Sequence, residues 1–239
     1  MIEGRSVLAV VPARGGSKGI PRKNLRTVRG RPLVALVGDV VRDVPEIDRS
    51  VISTDDPEIA RVAKDAGLDA PFLRPDNISG DSATAFEAVA HALTAIEARD
   101  GCVYDIVVLL EPTSPLRAAG HVSAAIAALV VQKKDSIWTV SLTDTKYHPM
   151  KQLALNDGVL VYDHPQGPNV TARQQLKPVY HRNGIAYAMT RDCIVNQRSL
   201  MGRNAGALVV EGEHISIDTE WDIALVEWLL ARRLGKMIA

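Results

Sequence analysis

Residues 106–110 (IVVLL) form a run without a single polar side chain. A strand so short and so apolar needs cover on both faces, which puts it near the middle of a sheet with helices above and below. Other β-branched runs alternate with helical patterns through the first half of the chain, and that alternation predicts a mostly parallel sheet. Expected strands are 7–11, 49–53, 106–110 and 136–141, followed by 184–189, 207–210 and 214–217.

Helices are expected between them. Leu33, Val34, Leu36, Val37, Val40 and Val41 recur at helical spacing after Pro32, which suits a first helical turn. Residues 55–67 (DDPEIARVAKDAG) carry both a start and a stop signal, and Thr84 and Glu87 have capping-box spacing. Further helices are expected over 122–131 and 220–234. Between 146 and 182 the helical periodicity fades, and Asn156, Asp157 and Gly158 divide two apolar triplets as a hairpin turn would. The expectation is one domain over 1–239 with an inserted lobe at 146–182.

Composition narrows the partners. The 28 basic and 28 acidic residues balance, so bulk binding of nucleic acid is not expected. Charge is uneven locally, however: residues 1–31 hold eight basic side chains against the one acid Glu3, and that excess calls for an anionic partner. Cys102 and Cys193 lack metal-ligand spacing and are expected to be buried. No apolar run approaches the roughly 18 residues of a membrane span, and no signal-peptide pattern precedes Arg14, so a cytoplasmic location is expected.

The anionic partner has an obvious landing place. Residues 11–25 (VPARGGSKGIPRKNL) run from an apolar strand into Gly15 and Gly16, where backbone N–H groups can gather around an anion, with Arg14, Lys18, Arg22 and Lys23 supplying charge. Neither GxxxxGK[ST] nor GxGxxG occurs in this loop, so it is neither a P-loop nor a dinucleotide fingerprint. A glycine turn with surface cations is the plain alternative, and the crowding of Arg14, Lys18, Lys23 and Asn24 after the strand argues for phosphate binding.

This loop resembles the first motif of the acylneuraminate cytidylyltransferases, the CMP-sialic acid synthetases and their relatives. Further similar segments follow in order: VISTDD at 51–56, LRP at 73–75, LLEPTSPLR at 109–117, HPMK at 148–151, ARQQL at 172–176, NG at 183–184 and SIDTEWD at 216–222. The resemblance implies a Rossmann-like α/β fold, a mostly parallel sheet flanked by helices, with the small lobe serving dimerisation. It implies CTP bound at the C-terminal ends of the strands, attack of an acceptor hydroxyl on the α-phosphate, and help from Mg2+. Arg14, Lys18 and Lys23 would be catalytic. Ala13, Gly15, Gly16, Ser17, Asn24, Arg74, Asp81, Ser82 and Thr84 would bind the nucleotide. Cations matter here because in-line displacement at phosphorus develops charge on the phosphoryl oxygens.

Asp218 is implied as a metal ligand, although a place near a helix start suits it equally by spacing alone. Relatives often carry two aspartates in this motif, and Ser216 stands in the first position. Glu111, where relatives have Gln, is expected to make up the missing carboxylate and to touch the acceptor. Lys151, Arg173 and His181 complete the implied acceptor site, with Lys151 and Arg173 reaching across a homodimer. An arginine suits a carboxylate because its planar fork meets both oxygens.

The expected partners are therefore CTP and a small acidic acceptor such as a nonulosonic acid. Another acid sugar or a phosphonate is the alternative within the same chemistry. A non-catalytic CTP-binding domain is the rival of another class, opposed by the retention of Lys18, Lys23 and Asp218. Nucleic-acid binding ranks last because the basic stretch lacks interleaved aromatics.

Overall fold

A computed structural model describes residues 1–238. Along the chain run β1 (Val7–Pro12), the short strands β2 (Thr27–Val28) and β3 (Arg31–Pro32), α1 (Leu33–Val41), β4 (Arg49–Ser53), α2 (Pro57–Asp65), α3 (Ala85–Asp100), β5 (Ile106–Leu109), α4 (Ala119–Gln132) and β6 (Ser136–Leu142). Then come β7 (Leu153–Asn156), β8 (Val159–Tyr162), β9 (Tyr180–Thr190), α5 (Arg191–Val195), β10 (Ala205–Val209) and α6 (Glu220–Ile238).

Six strands form one sheet in the order β10-β6-β9-β5-β1-β4, and every pairing is parallel except the two made by β9. The apolar run at 106–110 is buried throughout, and β5 lies between β1 and β9. Strand β1 shows why both faces are apolar. Val7, Ala9 and Val11 pack with Val34, Val37, Ile59 and Ile126 from α1, α2 and α4, whereas Leu8 and Val10 pack with Val89, Leu93 and Ile96 from α3.

The helix signals act as written. Asp56 accepts hydrogen bonds from the Glu58 and Ile59 N–H groups at 2.8 and 3.2 Å, with Pro57 in the first turn of α2. Thr84 and Glu87 close the capping box of α3. Among the described residues no helix is long and apolar enough to cross a membrane.

Three expectations change. Residues 214–217 are not a strand: Gly212, at φ +93°, turns the chain away from β10, and Ile217 buries against Ile20 and α6 instead of joining the sheet. Cys102 is exposed, just beyond Gly101 at the end of α3, while Cys193 is buried. Strand β9 begins at Tyr180, four residues before the expected start, because a bulge interrupts its pairing with β6 without ending it.

The hairpin forms as β7 and β8, with Asp157 and Gly158 at φ +51° and +83°. Two positive φ values in succession give the turn whose twist matches the strands. Its apolar side chains are uncovered, Leu155 at 69% and Leu160 at 63% exposure.

Candidate active site

After β1 the chain passes through α1 to β4 on one side, then returns by α2 and α3 to β5 on the other side. The loops leaving the C-terminal ends of β1 and β5 therefore diverge, and the crevice between them is where open α/β sheets bind ligands. A cavity of about 480 Å³ opens there, lined by Arg14, Ser17, Lys18, Lys23 and Asn24 from the first loop, Glu111 from the second, and Ser216 and Asp218 from the segment before α6. A hollow of about 500 Å³ lies elsewhere, among Arg5, Asp105, Lys133 and Arg191 at the other end of the sheet, and contains none of the expected site residues.

The first loop is pinned before it is charged. Ile20 is fully buried with Leu116, Ile217 and Val226, so the loop is anchored against α6 at its midpoint. Gly19 passes so close to the Asp218 carbonyl that a Cβ would stand 2.7 Å from it. Asn24, almost fully buried, donates to the Arg14 carbonyl at 3.0 Å and ties the two ends of the loop together. Ala13 is buried, and the Gly15 N–H donates to Asp55 at 2.9 Å, so that donor already has a partner; Gly16 is open.

Carboxylates hold the cations. Lys18 and Arg14 meet Asp81 at 2.7 and 3.2 Å, and the Lys18 hydrogen bond keeps the Asp81 carboxyl below its ordinary range. Lys23 meets Asp218 at 2.9 Å.

Beneath Glu111 lies a frame that local sequence reasoning does not reveal. Arg117, almost fully buried, donates to the backbone carbonyls of Glu111, Gly184 and Ile185. Burial pushes its guanidinium down to about 10, still far enough above neutrality to stay charged. Across from Thr139 the β9 strand bulges, and the Asn183 side chain fills the gap. Its Oδ1 accepts from the Thr139 hydroxyl at 2.7 Å and from the Ile185 N–H at 3.2 Å, and its Nδ2 donates to Ser141 at 3.1 Å.

Gly184 sits in the left-handed region at φ +68° and donates its N–H to the Tyr187 hydroxyl at 2.8 Å. A Cβ on Gly184 would lie 2.4 Å from Ser114 Oγ and 2.7 Å from Glu111 Oε2, so glycine lets the carboxylate nest against the bulge. Glu111 itself has no hydrogen-bond partner for its carboxylate among the described residues. Burial raises its carboxyl pKa, the nearby Arg117 and Arg182 charges oppose that rise, and the Asp218 charge adds to it.

Residues 8–215 match the family described as Cytidylyltransferase. The chain belongs to this family. Among its curated relatives, this cytidylyltransferase is 30% identical over 223 residues to the pseudaminic acid cytidylyltransferase of Campylobacter jejuni, covering 93% of the present chain and 95% of that protein. It is 30% identical over 226 residues to the CMP-N,N'-diacetyllegionaminic acid synthase of Legionella pneumophila, covering 94% and 96% of the two chains. A CMP:2-keto-3-deoxy-manno-octonic acid synthetase solved in complex with CTP shares the fold, with a TM-score of 0.72 at 18% identity over 95% of this chain and 99% of that one.

The remaining expected residues do not line the cytidylyltransferase cavity. Arg74, almost fully buried, donates to the Ser53 carbonyl at 2.7 Å and braces the end of β4, and burial lowers its pKa. Ser82 is exposed beside Asp81, and Thr84 serves as the cap of α3. Lys151 and Arg173 are exposed and line neither hollow. His181 lies apart from these residues: its Nδ1 is 3.0 Å from the Thr143 hydroxyl, and its ring lines a separate hollow of about 480 Å³ with Tyr147, His214 and Trp228. It occupies the N-terminal end of β9 ahead of the bulge and does not line Glu111's cavity.

For a divalent cation, no group of three or more His, Cys, Asp or Glu side chains gathers among the described residues. The Glu111 and Asp218 carboxylates nevertheless share one cavity, and two carboxylates suit magnesium, which usually takes one or two and completes its shell with phosphate oxygens and water.

Proposed function

We propose that the chain transfers CMP from CTP to a nonulosonic acid and releases pyrophosphate, acting in the cytoplasm as a homodimer. The observation that carries this reading is the gathering of Lys18, Lys23, Glu111 and Asp218 on one cavity at the switch point of a cytidylyltransferase sheet. The names of the relatives at 30% identity support the acceptor class.

In the reaction the acceptor hydroxyl forms a bond to the α-phosphorus as the bond to the β-phosphate oxygen breaks. Lys18 and Lys23 exchange their carboxylate partners for phosphate oxygens, and Arg14 joins them. Their charge stabilises the transition state more than bound CTP, because negative charge concentrates on the oxygens as the bonds change. Glu111 and Asp218 would hold magnesium, which would neutralise charge on the phosphoryl oxygens. Glu111 thereby stands in for the carboxylate that Ser216 lacks.

The uncovered apolar hairpin supports the dimer, since Leu155 and Leu160 are paired across β7 and β8 and both face solvent. Lys151 and Arg173 would then reach the partner's site.

The test is pyrophosphate release with CTP, UTP, ATP or GTP, assayed with magnesium against pseudaminic acid, N,N'-diacetyllegionaminic acid, N-acetylneuraminic acid, 2-keto-3-deoxy-manno-octonic acid and a simple phosphonate. Release is expected with CTP alone and with a nonulosonic acid. CTP binding without release on any acceptor would make the chain a regulatory domain. In Glu111→Gln, turnover should fall and the magnesium requirement should rise; if neither changes, Glu111 does not hold the ion.

A further inference from the structure

The segment between β10 and α6 contributes Ser216 and Asp218 to the cavity lining, yet it joins no sheet. Gly212 turns it, the Ile217 N–H donates to the Thr113 carbonyl at 2.8 Å, and Arg233 of α6 donates to the Glu213 carbonyl at 3.4 Å. A pair of histidines adds a further tie. His214 meets His121 of α4 edge to face with ring centroids 5.3 Å apart, and both residues are half-buried. Since α4 follows directly on Arg117, the contact joins this segment to the frame beneath Glu111.

Each ring is bonded in a way that its neutral form allows and its charged form does not. Ala118, at the start of α4, has no side chain able to cap the helix, and its N–H donates to His121 Nδ1 at 3.2 Å. That nitrogen must therefore carry the lone pair, and a proton on it would set two donors face to face. His214 Nε2 lies 3.0 Å from the Glu211 carbonyl, which can only accept, so the proton of the neutral ring is on Nε2. Its Nδ1 is then a buried lone pair without a partner among the described residues. Protonation would leave a donor there with no acceptor.

The surrounding charges press the same way. Burial lowers the pKa of both rings. For His121 the nearby His214, Arg117 and Arg233 lower it further; for His214 the bond to Glu211 opposes the fall and Arg233 adds to it. Lys146, Tyr147, His181 and Glu213 share the hollow that His214 lines, and Glu213 is the one acid among its lining residues. The latched rings therefore bind fewer protons than released ones, so the contact has its full strength above about pH 6.5 and weakens as pH falls through the lowered values.

We propose that His121 and His214 form an acid-sensitive latch: neutral, they hold the segment carrying Ser216 and Asp218 against α4, and charged, they part, loosen it and shut down nucleotidyl transfer. The effect on turnover rests on the transfer reaction proposed above; the latch itself does not.

The experiment compares wild type with His121→Gln, His214→Gln and the double variant between about pH 7.5 and pH 5.5, the range over which histidine changes charge. A glutamine at 121 can still accept the Ala118 N–H, as in a capping box, and one at 214 can still donate to Glu211, but neither takes up a proton. The first readout is hydrogen–deuterium exchange of the amides at 211–218, corrected for the intrinsic effect of pH on exchange. On acidification, protection should fall by about tenfold in wild type, the factor given by one unit of pKa between latched and released rings. It should hold in the double variant, with the single variants between. The second readout is pyrophosphate release from CTP with the acid that the wild type uses best, and wild type should lose more of its kcat/KM for CTP at acid pH than the double variant. An equal fall in protection in wild type and double variant overturns the latch. A fall confined to wild type, with matching turnover curves, overturns its control of the cavity. A wild type that turns over no acid at any pH, while its protection still falls, overturns the transfer reaction and leaves the latch standing.

Discussion

The two loops that meet at the cavity are held by opposite means. Beneath Glu111, Arg117 spends its donors on three backbone carbonyls and Asn183 bonds to hydroxyls and a backbone N–H, all in the interior. In the nucleotide loop, Lys18 at 75% exposure pairs with Asp81 at 56%, and Lys23, itself 19% exposed, pairs with Asp218 at 72%. Buried bonds of the first kind are costly to break, because each lost partner leaves a desolvated polar group. Exposed ion pairs of the second kind add at most about 1 kcal/mol to stability. One side of the cavity is thus set rigidly before a substrate arrives, and the other is held by carboxylates that phosphate can replace.

The largest expected effect breaks that comparison on its exchangeable side. Lys23→Met keeps the aliphatic stem and removes the charge, and steady-state pyrophosphate release should show kcat lower by about 10²- to 10³-fold, the cost of losing one preorganised transition-state donor. The melting temperature should change little, since among the described residues the one ion pair lost is to a carboxylate 72% exposed, although Lys23 itself is 19% exposed. A large fall in melting temperature would mean that the loop is as structural as the frame.

Gly184→Ala breaks the rigid side, with a smaller effect on more than one readout. A non-glycine residue at φ +68°, with its Cβ driven into Ser114 and Glu111, should cost about 2 to 3 kcal/mol. For a chain of this size that lowers the melting temperature by roughly 5–10 °C. Turnover should fall as well, because Glu111 is pushed from its place. Loss of activity with full stability would show that the frame serves only the site.

The same contrast explains what could be read without a structure. Features coded by neighbours in sequence were legible: the bare run at 106–110, the Thr84 capping box, and the Asp157–Gly158 turn all act within a few residues. The frame was not, because Asn183 finds Thr139 across 44 positions and Arg117 finds Ile185 across 68. Glu111, Lys23 and Asp218 were joined only by family resemblance, since nothing in their local spacing requires them to share a cavity. Residues 214–217 misled for the converse reason: their apolar content suits a strand, but the buried partner of Ile217 is the cluster around α6, which local pattern does not specify.

A third pairing, far from the cavity, tests where the boundary between the two kinds of bond falls. Arg191 grips Glu97 with two hydrogen bonds at 2.8 and 2.9 Å, joining the start of α5 to α3, and the Glu97 side chain is only 13% exposed. That grip holds the Glu97 carboxyl below its ordinary value. In the unfolded chain a glutamate titrates near about 4.3. The folded state therefore binds fewer protons than the unfolded state in the window between the two values, so the contribution is present in full above about 4.3 and is lost as pH falls through the lowered folded value. Arg191→Met should lower the melting temperature at pH 7 by an amount corresponding to about 1 kcal/mol or less, and thermal scans should show the gap to wild type closing as the solution is acidified below about pH 4. A gap at pH 7 much larger than Lys23→Met produces would place this pair with the frame. No gap would place it with the exchangeable pairs of the nucleotide loop.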